Sequence, residues 1–306
     1  MNKKISFVGV GAVKSGSSWM ASLLKQHPEV CMSSRKEIAY FNAYNFNGTK
    51  NTSSLYSREY YFKFWPQTNL VKGEVSPQYL FDSYAPQNIK DAFPNTQIIV
   101  ILRNPKHVVY SLFLYEQLFN RSINTSLSFS DALSKYPYLL ESARFYKQLK
   151  RYYSIFKKEQ IHVYILEDAL TFKEGFSKKL YADIGLSNID FIPDYSSVNE
   201  SKQMDSSFFN SLIQVPSFLK SKVESSRLNP YFEKCKGSSL YINLVGMRNK
   251  FLDLNVKSLQ KPIISKEDSL MLDVFYKSEI EKLEVLIDKD LSMWKTIDFV
   301  SLARNK

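Results

Sequence analysis

The stretch Val8-Gly9-Val10-Gly11-Ala12-Val13-Lys14-Ser15-Gly16-Ser17-Ser18-Trp19 decides which folds this chain can adopt. The apolar run at residues 5–10 predicts a buried strand, and residues 17–27 predict the helix that follows it. The turn between them can bind an anion, because a helix N-terminus has free backbone N–H groups and partial positive charge. Lys14 adds a full charge, and three serines add hydroxyl donors: Ser15, Ser17 and Ser18.

The order of residues in this turn argues against two common nucleotide-binding loops. A Walker A loop has a glycine, four residues and then Gly-Lys-Ser/Thr, whereas Lys14 precedes Gly16 here. A Rossmann fingerprint has its third glycine where this sequence has Lys14. The turn therefore predicts a site for an anion that is bound in neither of these ways.

A second basic group follows the most apolar segment of the chain. Residues 97–102 are apolar on both faces, as in the centre of a parallel sheet, and Arg103 comes directly after them. Asn104-Pro105 predicts the N-cap and first residue of a helix that contains Ser111. Open α/β sheets bind ligands at the carboxyl ends of their strands, and an arginine can bind two phosphate oxygens. The residues alone leave two interpretations open: Arg103 and Ser111 contact one phosphate, or Arg103 caps the strand and Ser111 lies on a solvated helix face.

Composition and charge narrow the class of protein. The 41 basic and 30 acidic residues give a net charge of +11, but the scattered lysines favour a solvated basic surface over a nucleic-acid interface. Cys31, Cys235 and three histidines form no disulfide or zinc pattern, which fits a reducing compartment and no structural metal. The sequence shows no transmembrane segment and no signal-peptide cleavage site. It predicts a cytoplasmic protein without a nucleic-acid partner and leaves the oligomeric state unknown.

Strands alternate with helices along the chain, which predicts an α/β fold with a central parallel sheet flanked by helices. The length of 306 residues suits one large domain. We predict a single domain over residues 1–306, with a variable helical insertion at 202–260 that includes a candidate helix at 208–223. Residues 120–137 are expected to be irregular. Residues 265–291 are expected to form a terminal helix in two pieces, with Trp294 packing in the core.

Lys14-Ser-Gly-Ser-Ser-Trp19 resembles the 5′-phosphosulfate loop of sulfotransferases that use PAPS (3′-phosphoadenosine-5′-phosphosulfate). The segment from Arg103 to Ser111 is similar to the 3′-phosphate motif of that family. The resemblance implies a P-loop-like sulfotransferase fold, a nucleotide held at both ends and no required metal. We expect His107 to replace a second arginine of the motif, and whether it contacts the cofactor is open. The resemblance assigns cofactor contacts to Lys14, Ser15, Gly16, Ser17, Ser18, Trp19, Arg103 and Ser111.

Two further segments extend the resemblance toward the chemistry. Lys36-Glu37-Ile-Ala-Tyr-Phe41 looks like the Lys-Glu motif of heparan-type and bacterial sulfotransferases, in which the glutamate is the general base. The resemblance therefore implies that Glu37 is the base, and that Lys14 neutralises charge on the leaving oxygen. Gly73-Glu74-Val75-Ser76-Pro77-Gln78-Tyr79 resembles another family segment, with Val75 where heparan-type members have a lysine. We expect Glu74 to be structural.

The resemblance covers nearly the whole chain, with residues 202–260 matched least. Asn199-Glu200-Ser201 resembles a family segment of unassigned role, and the segment from Leu283 to Trp294 resembles the closing helix of bacterial members. Lys234-Cys-Lys-Gly237 is a weaker candidate for a late 3′-phosphate loop. We expect the insertion at 202–260 to lie on the acceptor side.

The resemblance implies a bacterial enzyme that transfers a sulfuryl group from PAPS to a hydroxyl or amine and releases PAP. The expected acceptor is a small molecule or glycan, with a carbohydrate or glycolipid favoured by the Lys-Glu motif. Two alternatives remain open: a P-loop nucleotide kinase, and a catalytically inactive nucleotide-binding scaffold. The sequence does not indicate the acceptor itself, although residues 42–65, 120–140 and 202–260 are expected to shape its pocket.

Overall fold

A computed structural model describes residues 4–44, 50, 57–120, 122–196, 202–204, 256–258 and 264–295. The chain divides into two units, Met1–Val198 with Ile263–Lys306, and Asn199–Pro262. The described part of the second unit consists of strands Lys202–Met204 and Val256–Ser258, which pair antiparallel. The segment expected as an insertion falls within this second unit. Its candidate helix at 208–223, the loop at 234–237 and the segment at 199–201 lie outside the described residues.

Parallel strands form one sheet in the described part of the first unit. They are β1 (Phe7–Gly11), β2 (Val30–Met32), β3 (Val71–Val75), β4 (Gln97–Leu102) and β5 (Ile161–Ile165). Their spatial order is β2-β3-β1-β4-β5, so β1 lies in the middle, with Val8 opposite Glu74 on one side and Ile98 on the other. Every residue of β1 is buried, which explains its continuous apolar character. The predicted central parallel sheet is confirmed.

Helices connect these strands and cover both faces of the sheet. In the described residues they are α1 (Ser17–Gln26), α2 (Arg58–Phe62), α3 (Ala85–Ala92), α4 (Pro105–Tyr115), α5 (Phe129–Lys135), α6 (Tyr138–Glu141), α7 (Phe145–Tyr153), α8 (Leu166–Thr171), α9 (Lys173–Asp183), α10 (Lys266–Ile287) and α11 (Ser292–Lys295). As predicted, α4 begins at Pro105, and the Asn104 side chain accepts the N–H of Lys106. None of the helices in these ranges has the length and apolar character needed to cross a membrane.

Two expectations about helices were wrong. The segment at 120–137, expected to be irregular, contains α5, which is capped because the Ser128 side chain accepts the N–H of Asp131. The long terminal helix α10 runs unbroken over 22 residues rather than in two pieces. It is followed by the short α11, and Trp294 in α11 is buried in the core as predicted.

Alternate residues of the strands build two apolar layers. Val8 and Val100 belong to a large cluster on one face, which also contains buried residues of α4, α7 and α10. Phe7 and Ile101 belong to a second cluster on the other face, with buried residues of α1 and α9. Burying such a side chain contributes about 1.5–3 kcal/mol, so the two layers dominate the stability of the sheet and hold its loops in place.

A buried ion pair ties α4 to α10. Lys106 Nζ lies 2.6 Å from Asp273 Oδ1, and the two side chains are only 9% and 20% exposed. Lys106 also contacts Ser269 Oγ at 3.5 Å. Asp273 Oδ2 is buried and has no hydrogen-bond partner among the described residues. Asp273 therefore depends on Lys106 for its charge compensation.

Lys106→Met should lower the free energy of unfolding by about 3–5 kcal/mol, because it leaves a buried carboxylate without its counter-charge. The double variant Lys106→Met/Asp273→Leu should regain most of this loss, since it removes both charges and keeps the apolar volume. Urea unfolding of the wild type and the variants measures both effects. A double variant as unstable as the single one would show that packing, rather than the ion pair, sets the cost.

Candidate active site

The loop after β1, residues 12–16, forms a cradle at the carboxyl edge of the sheet. The Ala12 N–H donates to Ile101 O at 2.7 Å, which ties the start of the loop to β4. Lys14 and Gly16 both have left-handed backbones, with φ of 56° and 84°. Because φ at Gly16 is strongly positive, a residue with a side chain would be strained there, and its Cβ would also lie 2.7 Å from the end of the Leu166 side chain. We call residues 12–16 and the first turn of α1 the anion loop.

The anion loop offers mainly backbone donors. The first N–H groups of α1, at Ser17, Ser18 and Trp19, have no carbonyl partner within the helix. The Ser15 hydroxyl is buried and donates to Val13 O at 3.2 Å, so it shapes the loop. The Trp19 side chain stacks on Phe176 in the core at 5.3 Å. Of the predicted contact residues in α1, only Ser18 therefore combines a free helix-start N–H with a hydroxyl that is not buried.

Arg103 lies against the anion loop. Its Nη1 donates to the backbone oxygen of Lys14 at 3.4 Å, and burial lowers the pKa of its guanidinium, an effect that the nearby Glu167 carboxylate opposes. Lys14 Nζ lies 4.4 Å from the ring centroid of Tyr115, which holds the ammonium by a cation–π contact. The structure thus brings the two predicted basic groups together, although they come from different strands.

Ser111 and His107 lie on α4, beyond Arg103. Ser111 is half-buried and six residues into the helix from Pro105, about 9 Å along its axis. The expectation that His107 replaces a second arginine of the family motif stays a prediction. Its neighbour Val108 is completely buried and packs in the core.

Glu37 and Lys36 follow β2 and reach the same edge. Lys36 Nζ donates to Ser18 Oγ at 2.9 Å and lies 3.8 Å from Glu37 Oε1. The Gln78 side-chain amide donates to Glu37 Oε2 at 3.4 Å. The Lys36 and Glu37 side chains keep 30% and 31% of their surface exposed, so a substrate can reach them. Lys36 therefore links the Glu37 carboxylate to the anion loop.

The groups around Glu37 shift the pKa of its carboxyl in opposite directions. Burial raises the pKa of the Glu37 carboxyl, while Lys36, the Gln78 hydrogen bond and Lys14 lower it. Burial also lowers the pKa of the Lys36 ammonium, which Glu37 in turn raises. A carboxylate with a raised pKa is a better proton acceptor at neutral pH than an exposed one.

Glu74 is completely buried in β3 beside these groups. It accepts hydrogen bonds from Tyr61 Oη at 2.7 Å, Ser76 Oγ at 2.8 Å and Tyr79 Oη at 3.2 Å. Burial raises the pKa of Glu74 to about 7; the three hydroxyls lower it, and Glu37 raises it further. Glu74 therefore makes its described hydrogen bonds inside the protein, as expected of a structural carboxylate.

The donors at this edge suit a polyanion. Backbone N–H groups, the Ser18 hydroxyl and three cations, Lys14, Lys36 and Arg103, lie around the anion loop. Such amides and cations are the ligands that phosphate and sulfate groups prefer. No group of three or more His, Cys, Asp or Glu side chains in the described ranges is arranged to hold a metal ion.

Four residues at the site were missed or given no role from the sequence. Lys36 and Gln78 stood inside quoted motifs, next to Glu37 and two residues after Ser76, so adjacency to the motif could have indicated them. Tyr115, which contacts Lys14, and Glu167, whose carboxylate accepts the Asn104 N–H at 3.0 Å, carried no local signal. Both reach the site only through packing of elements distant in the sequence.

Glu74→Gln should make the free energy of unfolding less dependent on pH between about 4.5 and 7. Because the folded-state pKa of Glu74 is raised from 4.5 to about 7, its contribution to folding is complete below pH 4.5 and is lost as the pH rises through about 7. The wild type should lose up to about 3 kcal/mol of unfolding free energy across this window relative to the variant. Urea unfolding at several pH values measures the difference, and parallel curves for the two proteins would contradict it.

Part of the chain is similar to sulfotransferases of other organisms. The membrane-associated sulfotransferase kil1 of Dictyostelium discoideum is 30% identical over 105 residues, 33% of this chain and 20% of that protein. The bifunctional heparan sulfate N-deacetylase/N-sulfotransferase 1 of Caenorhabditis elegans is 29% identical over 109 residues, 34% of this chain and 12% of that protein. The matched segment thus spans a fifth or less of the length of these relatives.

Solved structures and the family profile extend the similarity to most of the chain. The crystal structure of a sulfotransferase from Alicyclobacillus acidocaldarius has a TM-score of 0.64 at 21% identity and covers 96% of this chain and 99% of its own, which shows a shared fold. The family model described as "Sulfotransferase domain" matches residues 6–241, a range that includes the anion loop, Glu37, Arg103 and Ser111. The chain therefore belongs to the sulfotransferase family, as its motifs predicted.

Proposed function

We propose that this protein is an enzyme that transfers the sulfuryl group of PAPS to a hydroxyl or amine of a carbohydrate or glycolipid and releases PAP. The observation that carries the proposal is the position of Lys36. Its ammonium contacts Ser18 of the anion loop at 2.9 Å and lies 3.8 Å from the Glu37 carboxylate. A base thus stands beside a cradle for an anion, which is the pairing that sulfuryl transfer requires.

The anion loop and α4 would hold the two ends of the donor. We assign the 5′-phosphosulfate to Lys14 and the amides of residues 16–19, and the 3′-phosphate to Arg103 and Ser111. The contact of Arg103 with the Lys14 backbone supports this assignment, since it puts the two basic groups within the span of one nucleotide. The buried side chains of Ser15, Ser17 and Trp19 support backbone roles for these residues.

The chemistry assigned to the chain is a proton transfer combined with charge stabilisation. Glu37 accepts the proton of the acceptor hydroxyl or amine, whose oxygen or nitrogen then forms a bond to sulfur while the bond from sulfur to the bridging phosphate oxygen breaks. Lys14 and Lys36 offset the negative charge that develops on that oxygen, which leaves with PAP. The raised pKa of Glu37 suits it to take the proton near neutral pH.

A carbohydrate acceptor is supported by two observations. The Lys-Glu motif is present at Lys36 and Glu37, and one partly matching relative carries heparan sulfate in its name. The Tyr115 ring lies beside Lys14 and offers an aromatic face on which a sugar ring can stack. Screening radiolabelled PAPS against glycans, glycolipids and small alcohols would identify the acceptor. Labelling of small alcohols alone would contradict the carbohydrate assignment.

Glu37→Gln should lower kcat about 100-fold or more and leave the Kd for PAP unchanged, because the amide keeps the shape of the side chain but cannot take a proton. Transfer of label from PAPS and calorimetric binding of PAP without added metal measure the two quantities. Glu159→Gln is the matched control, because it makes the same change on an exposed residue just before β5. This residue lies at the edge of the sheet opposite the anion loop, so the variant should leave both values unchanged.

Three results would contradict the assignment. Wild-type turnover in Glu37→Gln would exclude this residue as the base. PAP binding by the wild type without transfer to any acceptor would favour the inactive scaffold. Binding of ATP with magnesium but not of PAP would favour the kinase.

Arg103→Ala should weaken PAP binding by about 10- to 100-fold, because it removes a charge-assisted contact with the 3′-phosphate. Binding of AMP, which lacks this phosphate, should be unchanged in the same variant. Arg144→Ala, which removes an arginine paired with Glu141 and Glu279, should alter neither affinity. Calorimetry with both nucleotides measures the difference, and equal losses for PAP and AMP would mean that Arg103 supports the fold of the anion loop instead.

A further inference from the structure

The segment that carries Glu37 has no regular secondary structure, yet side chains of another segment bind its backbone. We call residues 37–44 the base loop. The Ala39 N–H donates to Ser76 Oγ at 3.1 Å, and the Tyr40 N–H donates to Tyr79 Oη at 2.8 Å. Beyond them, the Asn88 amide donates to Phe41 O at 2.8 Å. The base loop is therefore held along its length from outside.

The far end of the base loop is held by one carboxylate. Asp82 Oδ2 accepts the N–H groups of Ala43 and Tyr44 at 2.8 and 2.9 Å, while Oδ1 accepts two N–H groups at the start of α3. The four side chains described above, Ser76, Tyr79, Asp82 and Asn88, belong to residues 76–88, the segment that follows β3. The position of Glu37 thus depends on what fixes that segment.

Glu74 fixes the two hydroxyls nearest to Glu37. A hydroxyl has a single hydrogen, and those of Ser76 and Tyr79 both point to the Glu74 carboxylate, at 2.8 and 3.2 Å. Their oxygens consequently turn lone pairs toward the base loop, where they accept the Ala39 and Tyr40 N–H groups. An amide at position 74 has only one acceptor oxygen and turns an N–H₂ group toward the other hydroxyl, so this preference would be lost for at least one of the two.

The backbone conformation of Ala39 indicates that these hydrogen bonds constrain the base loop. Ala39 has φ of 52°, in the left-handed region that residues other than glycine seldom adopt. Such a conformation persists only where the surrounding structure over-determines it. The hydrogen bond from its N–H to Ser76 Oγ supplies one of these constraints, two residues away from Glu37.

We propose that Glu74 is a positioning residue, which orients the Ser76 and Tyr79 hydroxyls so that they hold the base loop and place the Glu37 carboxylate for proton transfer. The proposal rests on the proposed role of Glu37 as the base. It adds a residue that touches neither the donor nor the acceptor. Glu74 acts through two hydroxyls and two backbone N–H groups, and its own protonation is not a step in the reaction.

Two tyrosines in the same cluster provide a matched pair of variants. Tyr61 and Tyr79 are both completely buried, and each donates a hydroxyl to Glu74. Only Tyr79 Oη also accepts an N–H of the base loop among the described hydrogen bonds; Tyr61, in α2, contacts the loop through its ring. Replacement by phenylalanine removes the same atom at both positions and keeps both rings.

Tyr79→Phe should lower kcat about tenfold, because small misplacements of a catalytic group are costly, while the KM for the acceptor and the Kd for PAP stay unchanged. Glu74→Gln should lower kcat at least as much. Tyr61→Phe should keep kcat within about twofold of the wild type, since the base loop keeps both of its anchors. Amide hydrogen exchange should be faster at Ala39 and Tyr40 in Tyr79→Phe and Glu74→Gln, and unchanged in Tyr61→Phe.

The outcomes separate this proposal from the proposed function. Equal losses of kcat in Tyr61→Phe and Tyr79→Phe, or losses that follow the melting temperature, would reduce Glu74 to a purely structural role. Unchanged exchange at Ala39 and Tyr40 in Tyr79→Phe, or in Ser76→Ala should Tyr79→Phe not fold, would also overturn the proposal. Full activity in Glu37→Gln, by contrast, would exclude Glu37 as the base and so contradict the proposed function, whatever the exchange rates show.

Discussion

The left-handed turn at Gly16 is the constraint on which the site depends. With φ of 84°, Gly16 ends the loop after β1, and α1 then starts with its first N–H groups at the carboxyl edge of the sheet. A Cβ at position 16 would also lie 2.7 Å from the end of the Leu166 side chain, which belongs to the start of α8, directly after β5. The space beside the anion loop is therefore limited by an element that comes much later in the sequence.

Parallel topology explains why the other groups gather there. All of the described strands in the sheet end at the same edge, and β1 lies between β3 and β4. Lys14 follows β1, Glu37 follows β2, Ser76 follows β3 and Arg103 follows β4. An open sheet binds ligands at such an edge because several loops can contribute one group each.

Buried polar groups of this protein carry a stability cost and a positional benefit. Glu74 is completely enclosed, and burial raises its pKa, which means that its charged form is disfavoured in the folded state. Three hydroxyls compensate part of this cost, and two of them connect β3 to the segment that contains Glu37. An apolar residue at this position would avoid the cost of burying a carboxylate but would leave those hydroxyls without a fixed orientation.

The sequence by itself determined the sheet, the anion loop, the strand-end position of Arg103 and the family, because each depends on a local pattern of apolar runs, turn residues and short motifs. The acceptor and the cytoplasmic location stay predictions. Only the tertiary structure decided that Lys36 links Ser18 to Glu37, that Tyr115 lies beside Lys14 and that Glu74 accepts the two hydroxyls that contact the base loop. These contacts join side chains distant in the sequence, and their partners depend on how strands and helices pack rather than on any local pattern.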